Sequence, residues 1–302
     1  MEFKKYQHVC RYGTDETDGI LKGVCAIMPK IDGTNASVWI ENGEICCGSR
    51  TRELELGKDN AGFMSFVMGG LGEPIRKYLE NNPTHRLYGE WLVPHTIKDY
   101  KDDAWRKFYV FDVMYVDEYG IEHYIEPHIW AEAMIAYGID FIPVVAYIEN
   151  PTMDELKFFV EHNHFLMQDG CIGEGIVIKN YGYANKYGRI TWAKIINDEF
   201  KDGQKSKAKA TFLKDIDLEK SIAVRYCTAS LVHKERAKIM NETPDIERKI
   251  LIPKLIEMVF RSVIVEDMYD ICKQYKCPTI SFKALRNECI KIIKEVELDL
   301  FV

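Results

Sequence analysis

Lys30-Ile31-Asp32-Gly33-Thr34-Asn35 places a lysine, an acid and a glycine at a spacing that suits a lysine nucleophile acting on a nucleotide phosphate. A lysine that attacks phosphorus must be partly deprotonated near neutral pH, so its surroundings must hold its pKa below the ~10.4 of a free side chain. Desolvation or nearby positive charge does this. An apolar run, Val24 to Met28, leads in, and Ala36 to Ile40 leads out. Both read as strands, which puts Lys30 in a turn at the edge of a sheet, where Gly33 lets backbone approach a ligand. By themselves these residues equally describe a hairpin turn carrying a solvated lysine.

Further residues with chemical potential follow in order: Ser49-Arg50-Thr51, Tyr88-Gly89-Glu90, Phe108-Tyr109-Val110-Phe111-Asp112, Glu174-Gly175-Ile176-Val177-Ile178-Lys179 and Trp192-Ala193-Lys194-Ile195. Arg50 stands at a strand end, and its fork suits a ribose hydroxyl or a phosphate, although a surface arginine reads the same way. Glu90 is an acid in an apolar strand, where acids are normally excluded; a buried ion pair is the bland alternative. Phe111 is a stacking platform or a core residue, and Phe108 and Val110 alternate to the other face. A carboxylate at Glu174 is placed to hold a hydrated Mg²⁺, and Lys194 to aim fixed positive charge at the same phosphate.

These residues need a scaffold, and the pattern from residue 24 to about 196 supplies one. Short β-branched and aromatic runs are bounded by Gly, Asn and Asp, notably Arg86–Val93, Lys107–Val116 and Gly175–Lys179. Helical stretches interrupt them at Ala61–Leu79, with a break at Gly69-Gly70, at Ile129–Tyr137, and at Met153–His162 behind an N-cap at Thr152. Strands and helices without a βαβ rhythm predict an α+β fold of mixed or antiparallel sheets with flanking helices. From about Leu218 glycine disappears and apolar residues recur at helical spacing. Ile250, Leu251, Leu255, Ile256, Val259 and Phe260 form one stripe; Ala284, Leu285, Cys289, Ile292 and Ile293 form another. The division is therefore residues 1–210 and a small all-helical domain over 211–302, with turns near Thr243-Pro244 and Cys277-Pro278.

Composition narrows the function classes. The 302 residues are 47% hydrophobic, ample for a core, and no apolar run approaches the ~18 residues of a membrane span. Nine cysteines without a C-x-x-C pair read as reduced thiols in a cytoplasmic protein, or in the host cytoplasm if the source is viral. The net charge of −7 argues mildly against nucleic acid, yet residues 215–302 balance 15 basic against 15 acidic side chains. Between Lys201 and Lys214, Lys205, Lys207, Lys209 and Lys214 face a single acid, Asp202. Such a connector either tracks phosphates or is a solvated linker.

Taken together, the six motifs resemble in type and order those of the covalent nucleotidyltransferases, the ATP-dependent polynucleotide ligases and mRNA capping enzymes. The Lys-x-Asp-Gly-x-Asn form, the Ser-Arg-Thr after it and the Phe-Tyr-Val-Phe-Asp strand look most like the RNA ligase 2 family of ATP-dependent RNA ligases. The resemblance covers residues ~1–210 by motif, and Tyr226 to Met240 extends it more weakly. It implies that Lys30 takes AMP from ATP, with Glu174 and Lys194 as its catalytic companions and Glu174 on Mg²⁺ or Mn²⁺. It further implies Arg50, Glu90, Phe111, Lys179 and Ile31 at the nucleotide, and Asn35 at the nucleic-acid steps, with Lys205 and Lys207 of the connector holding RNA. The expected enzyme seals 3′-OH and 5′-phosphate RNA ends, works as a monomer and needs no membrane. A DNA ligase, a GTP-using capping enzyme and an inactive RNA-binding descendant are the alternatives.

Three details remain open at this level. The family commonly carries a second lysine where this chain has Ile196, and Lys179, Lys186 or Arg189 are the candidates to replace its charge. Pro29 precedes Lys30, so choice between ATP and GTP falls to backbone groups. The aromatic loop Asn180–Arg189 reads as a mobile hairpin or as a contact to nucleic acid, with the hairpin favoured.

Overall fold

The structure is a computed structural model and describes residues 1–94, 97–197 and 218–301. The chain divides into two compact units, Met1–Lys205 and Ser206–Val302. Strands in the first unit are β1 (Val9–Arg11), β2 (Val24–Lys30), β3 (Thr34–Glu41), β4 (Glu44–Ser49), β5 (His85–Trp91), β6 (Phe108–Val116), β7 (Glu122–Ile125), β8 (Ala146–Glu149), β9 (Gly175–Lys179) and β10 (Trp192–Ile196). They form two five-stranded sheets, ordered β1-β10-β9-β2-β8 and β4-β3-β5-β6-β7. Pairing is antiparallel except between β1 and β10. The architecture is α+β, as the patterns predict.

Alternation along each strand sorts side chains into three layers. Cys25, Ile27, Ile176, Ile178, Ala193 and Ile195 leave the first sheet on one face and pack with Leu156 and Val160 of helix α4 (Met153–Glu161). Thr152 caps that helix through a capping box with Glu155. Ala36, Val38, Leu87, Phe108, Val110 and Val113 leave the second sheet and join a larger core. Helices α1 (Phe63–Met68), α2 (Glu73–Asn81) and α3 (Pro127–Tyr137) contribute to it, and the break predicted at Gly69-Gly70 separates the first two. A third, aromatic cluster of Tyr6, Tyr88, Met114 and Trp192 draws on strands of both sheets. Residues of the candidate site surround that cluster.

The second unit contains α5 (Leu218–Tyr226), α6 (Ala229–Glu242), α7 (Arg248–Gln274) and α8 (Phe282–Val296), with turns at both predicted positions. Leu251, Leu255, Val259 and Val263 form the buried row of α7, and Leu285, Cys289 and Ile293 that of α8. Ile250, counted in the predicted stripe, is 52% exposed instead. It lies ~100° around the helix from Leu251, outside the i, i+4 row that meets the core. Pro253 sits within α7, where it removes one backbone donor without ending the helix. Among the described residues, no helix is long and apolar enough to cross a membrane. Lys205 and Lys207 lie outside the described residues.

Candidate active site

Lys30 is the last residue of β2, a strand flanked on both sides rather than one at a sheet edge, because its pairing with β9 extends to Lys30 opposite Gly175. Its Nζ donates to Glu174 Oε2 at 2.6 Å, and both side chains remain partly open, 20% and 17% exposed. The loop that delivers Glu174 is clamped by Asn163. The Gly173 amide donates to the Asn163 carbonyl at 2.7 Å, and the Asn163 amide group donates to the Gly175 carbonyl at 2.7 Å. On the far side, the Asn197 amide donates to the Glu174 carbonyl at 2.9 Å. Gly175 itself has φ +154°, and a Cβ there would meet the Ile195 carbonyl oxygen at 2.1 Å. Only glycine carries the chain past β10 here.

Behind Lys30 the turn is fixed from inside. The Asp32 amide donates to Tyr100 Oη at 2.7 Å, and the Asp32 carboxylate, 2% exposed, accepts from the Ile97 amide at 3.0 Å. The Gly33 amide donates to Glu90 Oε1 at 3.1 Å, and Glu90 stands opposite Asn35 in the β3–β5 register. An acid in the apolar strand is therefore explained by a backbone donor beside the lysine. A Cβ on Gly33 would lie 2.6 Å from the Trp91 carbonyl oxygen and 2.9 Å from Glu90 Cγ. Gly33→Ala should cost about 1–3 kcal/mol of stability through this overlap, and should displace Glu90. Chemical denaturation of the variant beside the wild type measures the loss.

Phe111 owes its direction to a β-bulge. In the β5–β6 register Tyr88 pairs with Asp112 and Gly89 with Val110, so Phe111 is the extra residue. Strict alternation would send Phe111 and Asp112 to opposite faces; the bulge lets both contact Tyr6. The Phe111 and Tyr6 ring centroids are 5.0 Å apart, and Tyr6 Oη donates to Asp112 Oδ2. Phe111 and Val177 both pack, half-buried, against the aromatic cluster, whereas Phe108 is buried in the larger core as predicted.

Lys179 and Ile31 do not present themselves to a nucleotide as expected. Lys179 is 2% exposed; its Nζ donates to the Phe111 carbonyl at 2.6 Å and pairs with Asp112 at 2.8 Å. Burial pushes the Lys179 ammonium below the ordinary lysine range, and the Asp112 carboxylate opposes that shift. The Nζ bond ties Lys179 to the backbone of Phe111. Ile31 is 3% exposed, and its side chain belongs to the larger core.

Lys194 pairs in register with Val177, which pairs with Met28, so it lies on the same sheet face as Lys30. Ile196 stands across Gly175 from Lys30. The proposed substitutes for a lysine at 196 are engaged elsewhere: Lys186 pairs with Asp15 at 2.5 Å and Arg189 with Glu16 at 3.9 Å. The aromatic loop connects the antiparallel neighbours β9 and β10, as a hairpin does. It is pinned by Tyr183 Oη to the Asp18 carbonyl at 2.7 Å, and by Tyr181 Oη to Asp112 at 3.1 Å. Arg50, in the turn after β4, is exposed and donates to His8 Nδ1 at 3.0 Å.

The sequence model of the RNA ligase family matches residues 24–196, more than half of the chain. The chain belongs to the RNA ligase family. Among solved structures, this RNA ligase family member is similar in fold to Naegleria gruberi RNA ligase. A form of that protein with AMP and Mn matches at 16% identity and a TM-score of 0.50, covering 67% of this chain and 58% of that one. A form with ATP and Mn matches with the same four values. The chain thus spans 58% of the length of these solved chains.

Three residues around the site of this RNA ligase family member carry no assigned role in the sequence reading, although Asp112 closes the Phe108–Asp112 motif. Asp112 gave the same signal as Glu90, an acid within the apolar run Phe108–Val116. Tyr6 is an aromatic in a charged N-terminal stretch, and nothing local marks it. Asn163 sits between His162 and His164, and its clamp on the Glu174 loop depends on contacts ten or more residues further along the chain.

Proposed function

We propose that this protein is an ATP-dependent RNA ligase that joins 3′-OH and 5′-phosphate ends through a lysyl-adenylate on Lys30. The observation that carries the proposal is the Lys30–Glu174 pair at 2.6 Å, at a strand end where Glu90 bonds the adjoining turn. In the first step the Lys30 ammonium parts from Glu174 and passes its proton to solvent water. The amine lone pair then forms a bond to the α-phosphorus of ATP, the bond to the bridging oxygen breaks, and pyrophosphate leaves. In the second, a 5′-phosphate oxygen attacks the same phosphorus and the nitrogen–phosphorus bond breaks, freeing Lys30. In the third, a 3′-OH attacks the 5′-phosphorus, and AMP leaves with the pyrophosphate bridge broken.

Lys194 and Arg50 supply the positive charge that a pentavalent phosphorus requires, and Glu174 would do so only through a bound cation. Glu174 is one partly open carboxylate beside Lys30, a donor suited to Mg²⁺ or Mn²⁺ retaining most of its water. Bound there, the ion would neutralise charge on the α-phosphate. Phe111, aimed by the bulge, supports a stacking role against the adenine, with Val177 as the apolar partner. Naegleria gruberi RNA ligase has been captured with ATP and Mn and with AMP and Mn, in keeping with these assignments. An all-helical second unit among the described residues favours an RNA ligase over a DNA ligase or capping enzyme, which usually carry an OB-fold there.

Incubation with α-labelled ATP or GTP tests the reading. Label on the protein from ATP alone supports it; label from GTP points to capping, and none to a binding protein. A sealing assay on matched nicked and single-stranded RNA and DNA then assigns the substrate. Ile196→Lys would add a cation across Gly175 from Lys30. It should speed adenylation by about three- to tenfold, the scale of one added charge near a developing one, measured under single turnover.

A further inference from the structure

We infer that His8 is a positioning residue for the nucleotide contact made by Arg50, an inference that rests on the ligase reading above. Arg50 is exposed on the turn after β4, and among the described residues its one hydrogen bond goes to His8 Nδ1, at 3.0 Å. A guanidinium carries five donors and no acceptor, so the ring nitrogen facing it must accept. A long arginine side chain at a turn otherwise keeps several rotamers, and each must be given up when a ligand is gripped. The bond to His8 removes part of that freedom in advance.

His8 can do this because its backbone is fixed on both sides. Two residues earlier, Tyr6 is buried and donates to Asp112 of β6. One residue later, Val9 opens β1, which pairs with Trp192 at the start of β10. Further back, the Glu2 and Lys4 carbonyls accept from Arg86 and from Tyr88 Oη of β5. The N-terminal stretch is thus a strap between the two sheets, and His8 is the point on it that reaches the Arg50 turn. Its imidazole touches Arg50 and needs no contact with the nucleotide. It acts on the reaction only through the guanidinium it orients.

The test is single-turnover protein adenylation over a range of ATP concentrations, with the limiting rate read as kcat and the half-saturating ATP as KM, for the wild type, His8→Ala, His8→Asn, Arg50→Ala and the double variant His8→Ala/Arg50→Ala. His8→Ala should raise KM for ATP about three- to tenfold, the worth of one hydrogen bond, with kcat within about twofold. In His8→Asn the amide oxygen falls near the place of Nδ1 and should restore KM to within about twofold of wild type. In the Arg50→Ala background the His8 change should have no further effect, since the two act as a unit. An unchanged KM in His8→Ala, no rescue by asparagine, or additive effects in the double variant would each overturn the assignment while leaving the ligase reading intact. Absence of labelling in the wild type overturns both.

Discussion

Lys30→Ala is expected to abolish the protein–AMP adduct, a loss of at least about 10⁴-fold that places labelling below detection. The residue ends a strand and is 20% exposed, so its truncation leaves the apolar layers untouched and the circular dichroism spectrum should not change. The same variant should still seal an RNA strand supplied with its 5′-phosphate already adenylated, because the third step uses no lysine nucleophile. Retained labelling would mean that another side chain is the nucleophile. Loss of sealing on the adenylated strand would mean that Lys30 is also needed after its own transfer is complete.

The second large effect is structural. Asp112 is fully buried and accepts from Lys179, Tyr6 and Tyr181. Asp112→Ala leaves the Lys179 ammonium inside the protein without its counter-charge, which should destabilise the first unit by about 3–5 kcal/mol. Lys179→Met/Asp112→Asn removes both charges and keeps an acceptor for the tyrosine hydroxyls, and should recover more than half of that loss. Urea denaturation of the three proteins decides. Equal stability of Asp112→Ala and the wild type would show that the buried pair contributes nothing.

The parts of this site that were legible in the sequence are those whose meaning is local. Glu90 stands out as an acid in an apolar strand, and Lys30, Gly33 and Glu174 stand out by their order and spacing along the chain. The alternation of Phe108 and Val110 away from Phe111 was likewise readable from one strand. The bulge was not. It arises from the pairing of β5 with β6, and only that pairing shows that Phe111 and Asp112 share a side. The surroundings of Lys179 were hidden for a related reason: its partner Asp112 lies 67 residues earlier in the chain. Tyr6 meets Asp112 across 106 residues. The helical unit was read correctly as helices, but Ile250 shows that a stripe drawn one residue too wide exposes its margin.

Lys30, Glu174 and Lys194 ride on one sheet, whereas Glu90 and Phe111 ride on the other, with Arg50 on the turn that follows its edge strand. On the proposed ligase reading, a molecule carrying both a purine nucleoside and a triphosphate would be a staple between the two sheets. Its fragments cannot do the same. A non-hydrolysable ATP analogue should raise the melting temperature of the first unit by more than adenosine and pyrophosphate added together at matched saturation.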